Sequence, residues 1–330
     1  HQLEDIKELS VMGFVDVLVN YRRLRRLQNR LISSLLDQKV DVFIGVDGPD
    51  FNLPISKQLR KEGILTAQYV CPQAWAWREG RVRNIKSSVD LMFALFPFEE
   101  EFFQSRGIET KFVGHPLAES ISPSKQGDKY RSRVITPSKS EVVIALMPGS
   151  RPAEIERHLE LFLRAGQELT KLLRQRVRLL IGCASKNTEQ LVRSKAGKFD
   201  CEIIVGESRN VLARADVAIV VSGTIALESM LCKTPAVVAY KTSTINYRIL
   251  KSLVKTKYIS IPNILTNMNL MPELVQDAVN PKNLATEALN WLLDEQRKNI
   301  FLIKADLIHR ILRQNGSEKV AQSLLKRMER

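Results

Sequence analysis

Two polar turns follow buried strands in the second half of the sequence, and both could hold phosphate. Gly149, Ser150 and Arg151 come directly after the apolar run 142–146 and precede a helix that begins near Pro152. A strand that turns straight into a helix directs backbone N–H groups at whatever lies beyond it, and Arg151 adds a guanidinium. An ordinary turn with a helix cap would have the same residues.

The second turn has the same position relative to its strand. Ser222, Gly223 and Thr224 follow the run 217–221, and a helical stretch comes next. Glu228 lies one turn into that helix, where its carboxylate could accept hydrogen bonds from ribose hydroxyls. Two such turns in one half of the chain favour a nucleoside diphosphate over a single anion.

A third turn, in the first half, offers carboxylates. The strand-like run 40–46 ends at Asp47, and Gly48 and Pro49 force a turn before Asp50. Either carboxylate could act as a general base if it comes within hydrogen-bond reach of the proton that it takes. Both could instead form the turn and cap the next helix.

Aromatic and basic side chains follow two more strands of the first half. Trp75, Trp77 and Arg78 lie beside a proline turn after the run 65–70. They could line a pocket for a sugar ring or an acyl chain, or pack a domain interface. His115, after the run 111–113, is either a structural histidine or a donor to phosphate or substrate.

Strand-like runs alternate with amphipathic stretches along the chain. This alternation predicts βαβ units, parallel sheets and helices on both faces, which is an α/β, doubly wound fold. Ligands of such sheets bind beyond the carboxyl ends of the strands, and a cleft between two domains would gather the three turns. The runs are 40–46, 65–70, 91–95, 111–113, 142–146, 177–181, 202–205, 217–221 and 236–239.

The polar stretch from 120 to 140 is typical of a linker between two domains. We therefore expect an N-terminal domain over 1–135 and a C-terminal domain over 136–303. Only helical segments follow residue 281, and we expect the last helix, about 304–330, to pack back on the N-terminal domain.

Composition restricts the class of protein. The 330 residues are 44% hydrophobic and 26% charged, as in ordinary globular proteins, and we expect no segment to cross a membrane. The four cysteines are far apart, which disfavours a disulfide framework and a zinc site and favours a reducing, cytoplasmic compartment. With four histidines and no Asp-x-Asp, we expect neither a metal nor another cofactor.

The net charge of +14 indicates an anionic partner. Arginines crowd one helix-like segment near the start, which could be a solvated face, a nucleic-acid patch or a helix on a membrane surface. The apolar residues before and within it favour lipid. The predicted membrane contacts are Val11, Met12, Phe14, Val15, Leu18, Arg22, Arg23, Arg25 and Arg26.

These residues resemble those of the lipid-A-disaccharide synthases, which are inverting glycosyltransferases of the GT-B fold, with two Rossmann-like domains facing a cleft. The resemblance covers nearly the whole chain in the family's order and spacing. Its motifs are residues 11–14, 45–51, 69–78, 96–99, 114–116, 148–151, 222–228 and 253–263.

The resemblance implies transfer of diacylglucosamine from its UDP derivative to the 6-hydroxyl of diacylglucosamine 1-phosphate. It implies Asp47 as the general base and Arg151 facing the donor diphosphate. The enzyme would lie on the inner face of the inner membrane, where both substrates reside, and could form a homodimer. The family's UDP-binding region falls on Ser150, Ser222, Gly223, Thr224, Glu228, Asn263 and Gln276.

Two departures from the family pattern accompany the match. Members normally begin with a strand and a glycine-rich loop ahead of the segment that starts this sequence, so we expect a truncated start. Thr266-Asn267-Met268 stands where a small residue, Gly and Arg are expected. The alternatives are another UDP-sugar GT-B transferase, a UDP-sugar epimerase and, more remotely, a nucleic-acid-binding protein.

Overall fold

The computed structural model describes residues 14–77, 79–123, 141–173, 175–253 and 256–329. The chain divides into two compact units: the first comprises 1–115 with 314–330, and the second comprises 116–313. The expected linker from 124 onward lies outside the described residues, as do Val11 and Met12. The domain assignment from the sequence, with its acceptor and donor halves, stays a prediction.

The elements alternate between helix and strand. The first unit contains α1 (Phe14–Asp37), β1 (Val42–Val46), α2 (Pro49–Lys61), β2 (Leu65–Tyr69), α3 (Ala74–Trp77), α4 (Val82–Lys86), β3 (Leu91–Ala94), α5 (Pro97–Gln104) and β4 (Thr110–Phe112). The second contains α6 (Pro116–Ser120), β5 (Glu141–Met147), α7 (Pro152–Leu173), β6 (Arg176–Cys183), α8 (Lys186–Ala196), β7 (Glu202–Val205), α9 (Ser208–Arg214), β8 (Val217–Val221), α10 (Thr224–Leu231), β9 (Ala236–Tyr240), α11 (Thr244–Leu253), α12 (Ile261–Thr266), β10 (Glu273–Val275), α13 (Pro281–Leu293) and α14 (Glu295–Leu312). The last helix, α15 (Gly316–Met328), belongs to the first unit.

The first unit is built on a parallel sheet with strand order β1-β2-β3-β4. One hydrophobic cluster joins Leu53 of α2 to Ile85 and Phe103. Another packs Leu324 of α15 against Phe93 of β3. Apolar side chains on both sides of the strands explain why these strands appear as near-continuous hydrophobic runs.

The second unit has a six-stranded parallel sheet with order β10-β9-β8-β5-β6-β7. The chain moves outward from β5 through β6 to β7, then returns to place β8 on the other side of β5. Asp216, just before β8, accepts a hydrogen bond from Val143 N of β5 at 2.9 Å, 73 residues away in sequence. The order therefore reverses between β5 and β8, a topological switch point.

The predicted runs all form strands, and the doubly wound α/β class is confirmed. Two elements were not evident from local patterns. Residues 273–275 form β10 beside β9, although a three-residue strand is too short to show periodicity. At the last helix, Asn315 has the left-handed φ of 54°, and Gly316 begins α15.

Among the described residues, no helix is both long and apolar enough to span a bilayer.

Candidate functional site

A cavity of about 390 Å³ lies at the carboxyl ends of the second unit's strands. Both predicted phosphate turns, 149–151 and 222–224, line it together with Glu228. The sheet order explains this juxtaposition. Because β5 and β8 are hydrogen-bonded neighbours, the turns that follow them open side by side.

The first turn already holds an anion of the chain itself. Oε2 of Glu154, in the first turn of α7, accepts hydrogen bonds from Ser150 N at 3.1 Å and Arg151 N at 3.3 Å. The Arg151 guanidinium donates to Oε1 at 3.1 Å. The sequence predicted free N–H groups at this turn. In the structure they are occupied, because the acidic Glu154 caps the N-terminus of α7.

Gly149 permits the close approach of this carboxylate. Its φ is 116°, which residues with a Cβ rarely adopt. A Cβ at this position would lie 2.5 Å from Glu154 Oε2. Glycine is therefore required both for the backbone conformation and for the space in which the bound carboxylate lies.

The second turn presents a more open surface. Ser222 is fixed, because its hydroxyl donates to Ile259 O at 3.2 Å, whereas Gly223 and Thr224 are exposed. Glu228 is nearly buried and accepts a hydrogen bond from Ser208 Oγ at 2.9 Å. The donors of this turn that could meet a ligand therefore lie at its tip.

Arg209 supports the Glu228 carboxylate from the other side. Its Nε lies 3.4 Å from Glu228 Oε1, and its Nη2 donates to Ser120 Oγ at 2.8 Å. Arg209 and Ser208 were not predicted from the sequence. The signal was present, because both come directly after the strand end at Gly206.

The same signal applies to β6, whose end also lines the cavity with Gly182, Cys183 and Ala184. A Cβ on Gly182 would lie 2.5 Å from the Met147 sulfur, so glycine keeps β5 and β6 closely packed. The rule that ligands meet strand ends in parallel sheets could have identified this wall of the cavity.

Two predicted donor-binding residues do not line the cavity. Asn263 is fully buried and clamps the backbone of Met271: its Nδ2 donates to Met271 O at 2.7 Å, and its Oδ1 accepts from Met271 N at 2.8 Å. Gln276 makes the same two-way contact with the backbone of Thr242, at 2.8 and 3.1 Å. Their direct contact with a donor stays a prediction.

The Asp47 turn in the first unit separates the two candidate carboxylates. Asp50 is paired with Arg81. Asp47 is exposed, and none of the described residues donates a hydrogen bond to its carboxylate. Asp47 and Gly48 have φ values of 50° and 43°, so the turn is left-handed at both positions. The structure therefore places an exposed Asp47 carboxylate directly at the end of β1.

Trp75 belongs to an aromatic cluster of the first unit. The Trp75 ring contacts the Phe98 ring edge-on, with 4.8 Å between the ring centroids. Phe98 stacks on Phe96, with 5.7 Å between their centroids. Phe96 in turn contacts the His115 ring at 5.4 Å. The cluster therefore joins two predicted pocket residues, Trp75 and His115, whereas Arg78 and the side chain of Trp77 lie outside the described residues.

Burial shifts the titration of two groups beside this cluster. Burial raises the pKa of the Glu99 carboxyl to about 7. Hydrogen bonds from Phe96 N, Trp75 Nε1 and Leu95 N act in the opposite direction, but their effect is smaller. Burial lowers the pKa of His115 to about 4, so His115 is neutral at pH 7.

The predicted membrane helix is only partly described. Helix α1 begins at Phe14, but the side chains of Phe14, Val15 and Leu18 are outside the described set. Its basic side chains are exposed, as either a solvated face or a contact with an anionic surface requires. These are Arg22, Arg23, Arg25 and Arg26.

The described residues contain no group of three His, Cys, Asp or Glu side chains that could hold a metal ion. All four cysteines are free, and the three at Cys71, Cys183 and Cys232 are buried.

Two parallel α/β units, with a cavity at the switch point of the second sheet, indicate the class of protein. The fold is similar to that of UDP-GlcNAc 2-epimerase from Neisseria meningitidis, with a TM-score of 0.58, 13% identity and coverage of 96% of this chain and 84% of that one. It is also similar to a trehalose-6-phosphate synthase, with a TM-score of 0.59, 12% identity and coverage of 97% and 83%. The chain therefore has the GT-B fold of glycosyltransferases and epimerases.

Sequence comparison narrows this class to one family. The family profile described as lipid-A-disaccharide synthetase matches residues 1–326. The lipid-A-disaccharide synthase of Pseudomonas paraeruginosa is 44% identical over 330 residues, which covers 98% of this chain and 85% of that relative. The chain belongs to the lipid-A-disaccharide synthetase family and is a glycosyltransferase of lipid A biosynthesis. The resemblance inferred from the sequence is confirmed.

Proposed function

We propose that the enzyme transfers 2,3-diacylglucosamine from its UDP derivative to the 6-hydroxyl of 2,3-diacylglucosamine 1-phosphate. The products are a β-1,6-linked tetra-acyl disaccharide 1-phosphate and UDP. Membership of the family carries this proposal. The cavity of the second unit and the exposed carboxylate of Asp47 offer the two kinds of group that the reaction needs.

The cavity holds the UDP portion of the donor in this proposal. Ser150, Arg151 and the tip at Thr224 bind the diphosphate, and Glu228 accepts hydrogen bonds from the ribose. The bound Glu154 carboxylate supports this assignment, because it demonstrates that the turn accommodates anionic oxygens. A structural neighbour was solved with UDP-GlcNAc bound, which is consistent with a nucleotide site in this fold.

The chemistry is a single displacement with inversion. Asp47 takes the proton of the acceptor 6-hydroxyl, whose oxygen forms a bond to the anomeric carbon while the bond from that carbon to the diphosphate oxygen breaks. The bonding electron pair leaves with the diphosphate. Arg151 and backbone N–H groups at the start of α7 stabilise this developing charge, so the mechanism needs no metal.

The enzyme would act as a peripheral protein on the inner face of the inner membrane. The net charge of +14 and the exposed arginines of α1 support contact with anionic lipid. Pairing of two copies remains part of the proposal.

Product detection tests the function directly. Both acylated substrates are incubated with the enzyme in the presence of a metal chelator, and the tetra-acyl disaccharide phosphate is sought by mass spectrometry. We expect product without added metal. Failure to form it would refute the proposed reaction, whereas equal turnover of an unacylated UDP-sugar would favour another UDP-sugar transferase or an epimerase.

Two variants test the assigned roles. Asp47→Ala should reduce turnover to a small residual rate while the affinity for UDP and the Tm stay unchanged. Arg151→Ala should lower turnover about a hundredfold or more, because charge on the leaving diphosphate loses its main partner. Retained activity in Asp47→Ala would assign the base to another residue.

A further inference from the structure

One buried amide joins the ends of two strands in the first unit. Gln68 of β2 is fully buried, and its Nε2 lies within hydrogen-bond distance of three carbonyl oxygens. These belong to Asp47 at 3.0 Å and to Tyr69 and Val70, both at 3.3 Å. The side chain therefore holds the backbone of the Asp47 turn against the turn that follows β2.

A second amide grips the same carbonyl from the other side. Nδ2 of Asn52, in the first turn of α2, donates to Asp47 O at 2.7 Å and to Val46 O at 3.2 Å. The Asp47 amide N–H donates to Tyr69 O at 2.9 Å. Both backbone polar groups of Asp47 are thus fixed, while its carboxylate is exposed.

The backbone that these amides hold is strained. Asp47 has a φ of 50° and Val70 has a φ of 73°, and both residues carry a Cβ. Side-chain-bearing residues rarely adopt this left-handed conformation, which persists where surrounding contacts enforce it. The Gln68 amide contacts the carbonyl of each of these two residues.

Gly45 leaves the space in which the two amides meet. A Cβ at this position would lie 2.6 Å from Gln68 Oε1 and 2.8 Å from Asn52 Cβ. Any larger residue at position 45 would push both amides away from the Asp47 carbonyl.

Glutamine at position 68 also has an unfavourable effect on stability. Gln68 Oε1 is buried and has no hydrogen-bond partner among the described residues, which is unfavourable for folding. If the side-chain amide were rotated by 180°, Oε1 would face the carbonyl oxygens of Asp47, Tyr69 and Val70, which cannot donate a hydrogen bond. An apolar side chain of the same shape would avoid the orphaned oxygen, but it would lose the donor to Asp47 and Val70.

We propose that Gln68 and Asn52 are positioning residues that hold the Asp47 carboxylate in the orientation needed for proton transfer. The inference rests on the proposed role of Asp47 as the general base. A general base contributes only while its carboxylate stays within hydrogen-bond reach of the acceptor hydroxyl.

The test is Gln68→Met, which keeps the length and apolar volume of the side chain and removes the donor. We expect kcat to fall about tenfold to a hundredfold, while the affinity for UDP and the KM for the acceptor stay unchanged. Asn52→Ala, at a partly exposed helix position, should give the same pattern without affecting folding. The Tm of each variant reports on its fold.

Gln104→Leu is the matched control, because Gln104 Nε2 donates to the carbonyl of Thr110 at 2.8 Å in the same unit. Loss of that bond should leave kcat unchanged. In an Asp47→Ala background, Gln68→Met should lower the residual rate no further, since a positioning residue has no effect once its base is absent.

Two results would overturn the inference while leaving Asp47 as the base. One is wild-type kcat in both Gln68→Met and Asn52→Ala. The other is an equal loss of rate in the presence and absence of Asp47, which would indicate a general structural effect. Full activity in the single variant Asp47→Ala would refute both the assignment of Asp47 as the base and the positioning role of the two amides.

Discussion

The Glu154 carboxylate occupies the same N–H groups that we assign to binding the diphosphate of the UDP-sugar. Two like charges about 4 Å apart repel by about 4 kcal/mol at an effective dielectric constant of 20. The carboxylate therefore has to turn away when the diphosphate binds. Its side chain is 28% exposed, so it can rotate into solvent while the backbone of α7 stays in place.

This competition makes a prediction for Glu154→Gln. The amide oxygen can still accept the hydrogen bonds that cap α7, so the Tm should change little, but the competing charge is gone. We expect UDP to bind several-fold more tightly, as measured by titration calorimetry.

Glu160→Gln serves as the control, because it removes the same charge from an exposed ion pair with Arg164 on the same helix. UDP affinity should stay at the wild-type value in that variant. Unchanged or weaker UDP binding in Glu154→Gln would mean that the carboxylate is not displaced by the ligand.

The individual site residues differ in how far the sequence could identify them. Ser150 and Thr224 were predictable, because a polar residue directly after a buried strand reaches the ligand edge of the sheet. The contact of Glu154 was not, because a side chain in the first turn of a helix can face either solvent or the cap. Nor could the sequence foresee that the Asn263 amide is used by the backbone of Met271 and the carboxylate of Glu273.

At the scale of elements, the start of α5 depends on a buried carboxyl group. Glu99 is 3% exposed and accepts hydrogen bonds from Leu95 N and Phe96 N, both at 3.1 Å. Burial raises its pKa from 4.5 to about 7. Between these values the folded chain binds a proton that the unfolded chain does not, so stability falls as pH rises through this window, by up to about 3 kcal/mol.

The variant Glu99→Gln is neutral at every pH and should not show this decline. We expect the Tm of Glu99→Gln to rise relative to that of the wild type as pH is raised from 5 to 7.5, in thermal unfolding followed by circular dichroism. Glu101→Gln, an exposed position on the same helix, should retain the wild-type profile.

His115 acts in the opposite direction, because its pKa is lowered by burial to about 4. The stability that depends on neutral His115 is lost as pH falls below 6.5. This loss is the same in the wild type and in Glu99→Gln, so the difference between their two pH profiles reports on Glu99. Parallel profiles of wild type and Glu99→Gln would contradict the prediction.

Elements with strong local patterns were predictable from sequence. The run 217–221 is buried along its whole length and forms β8 within the predicted bounds. β10 was not foreseen, because Glu273 to Val275 is too short to show periodicity and depends on pairing with β9. The turn at Asn315 was equally unpredictable, because the neighbouring Gly316 is the more common type of left-handed residue.

At the scale of the whole molecule, the excess of basic residues predicts salt-sensitive binding to anionic membranes. Vesicles containing phosphatidylglycerol should bind the enzyme at low ionic strength and release it as salt is added, and neutral vesicles should not. Changing the exposed arginines of α1 to glutamine should weaken vesicle binding, as measured by co-sedimentation. These are Arg22, Arg23, Arg25 and Arg26.

The control removes the same charge from exposed positions of the second unit, which are Lys171, Lys186, Arg193 and Lys198. If both sets of changes weaken vesicle binding equally, net charge rather than α1 determines the contact. The sequence could not decide this point, because a basic helix serves a solvated face, a nucleic acid and a lipid surface equally well.

The fold class was predictable because alternation of strands and helices is a local pattern, repeated along the chain. The cavity depends on a pairing that no local pattern encodes: β8 must return to β5, and Asp216 must reach Val143 across 73 residues of sequence. Only the assembled sheet brings residues 149–151 and 222–224 to one place.

This long-range pairing has a consequence for folding. Contacts between distant segments form slowly, because closing a long loop lowers chain entropy before native interactions compensate for it. The cavity therefore exists only once β8 has paired with β5, and a ligand that binds there binds the folded unit rather than the unfolded chain. By mass action, nucleotide present during synthesis would act as a selective stabiliser of completed molecules.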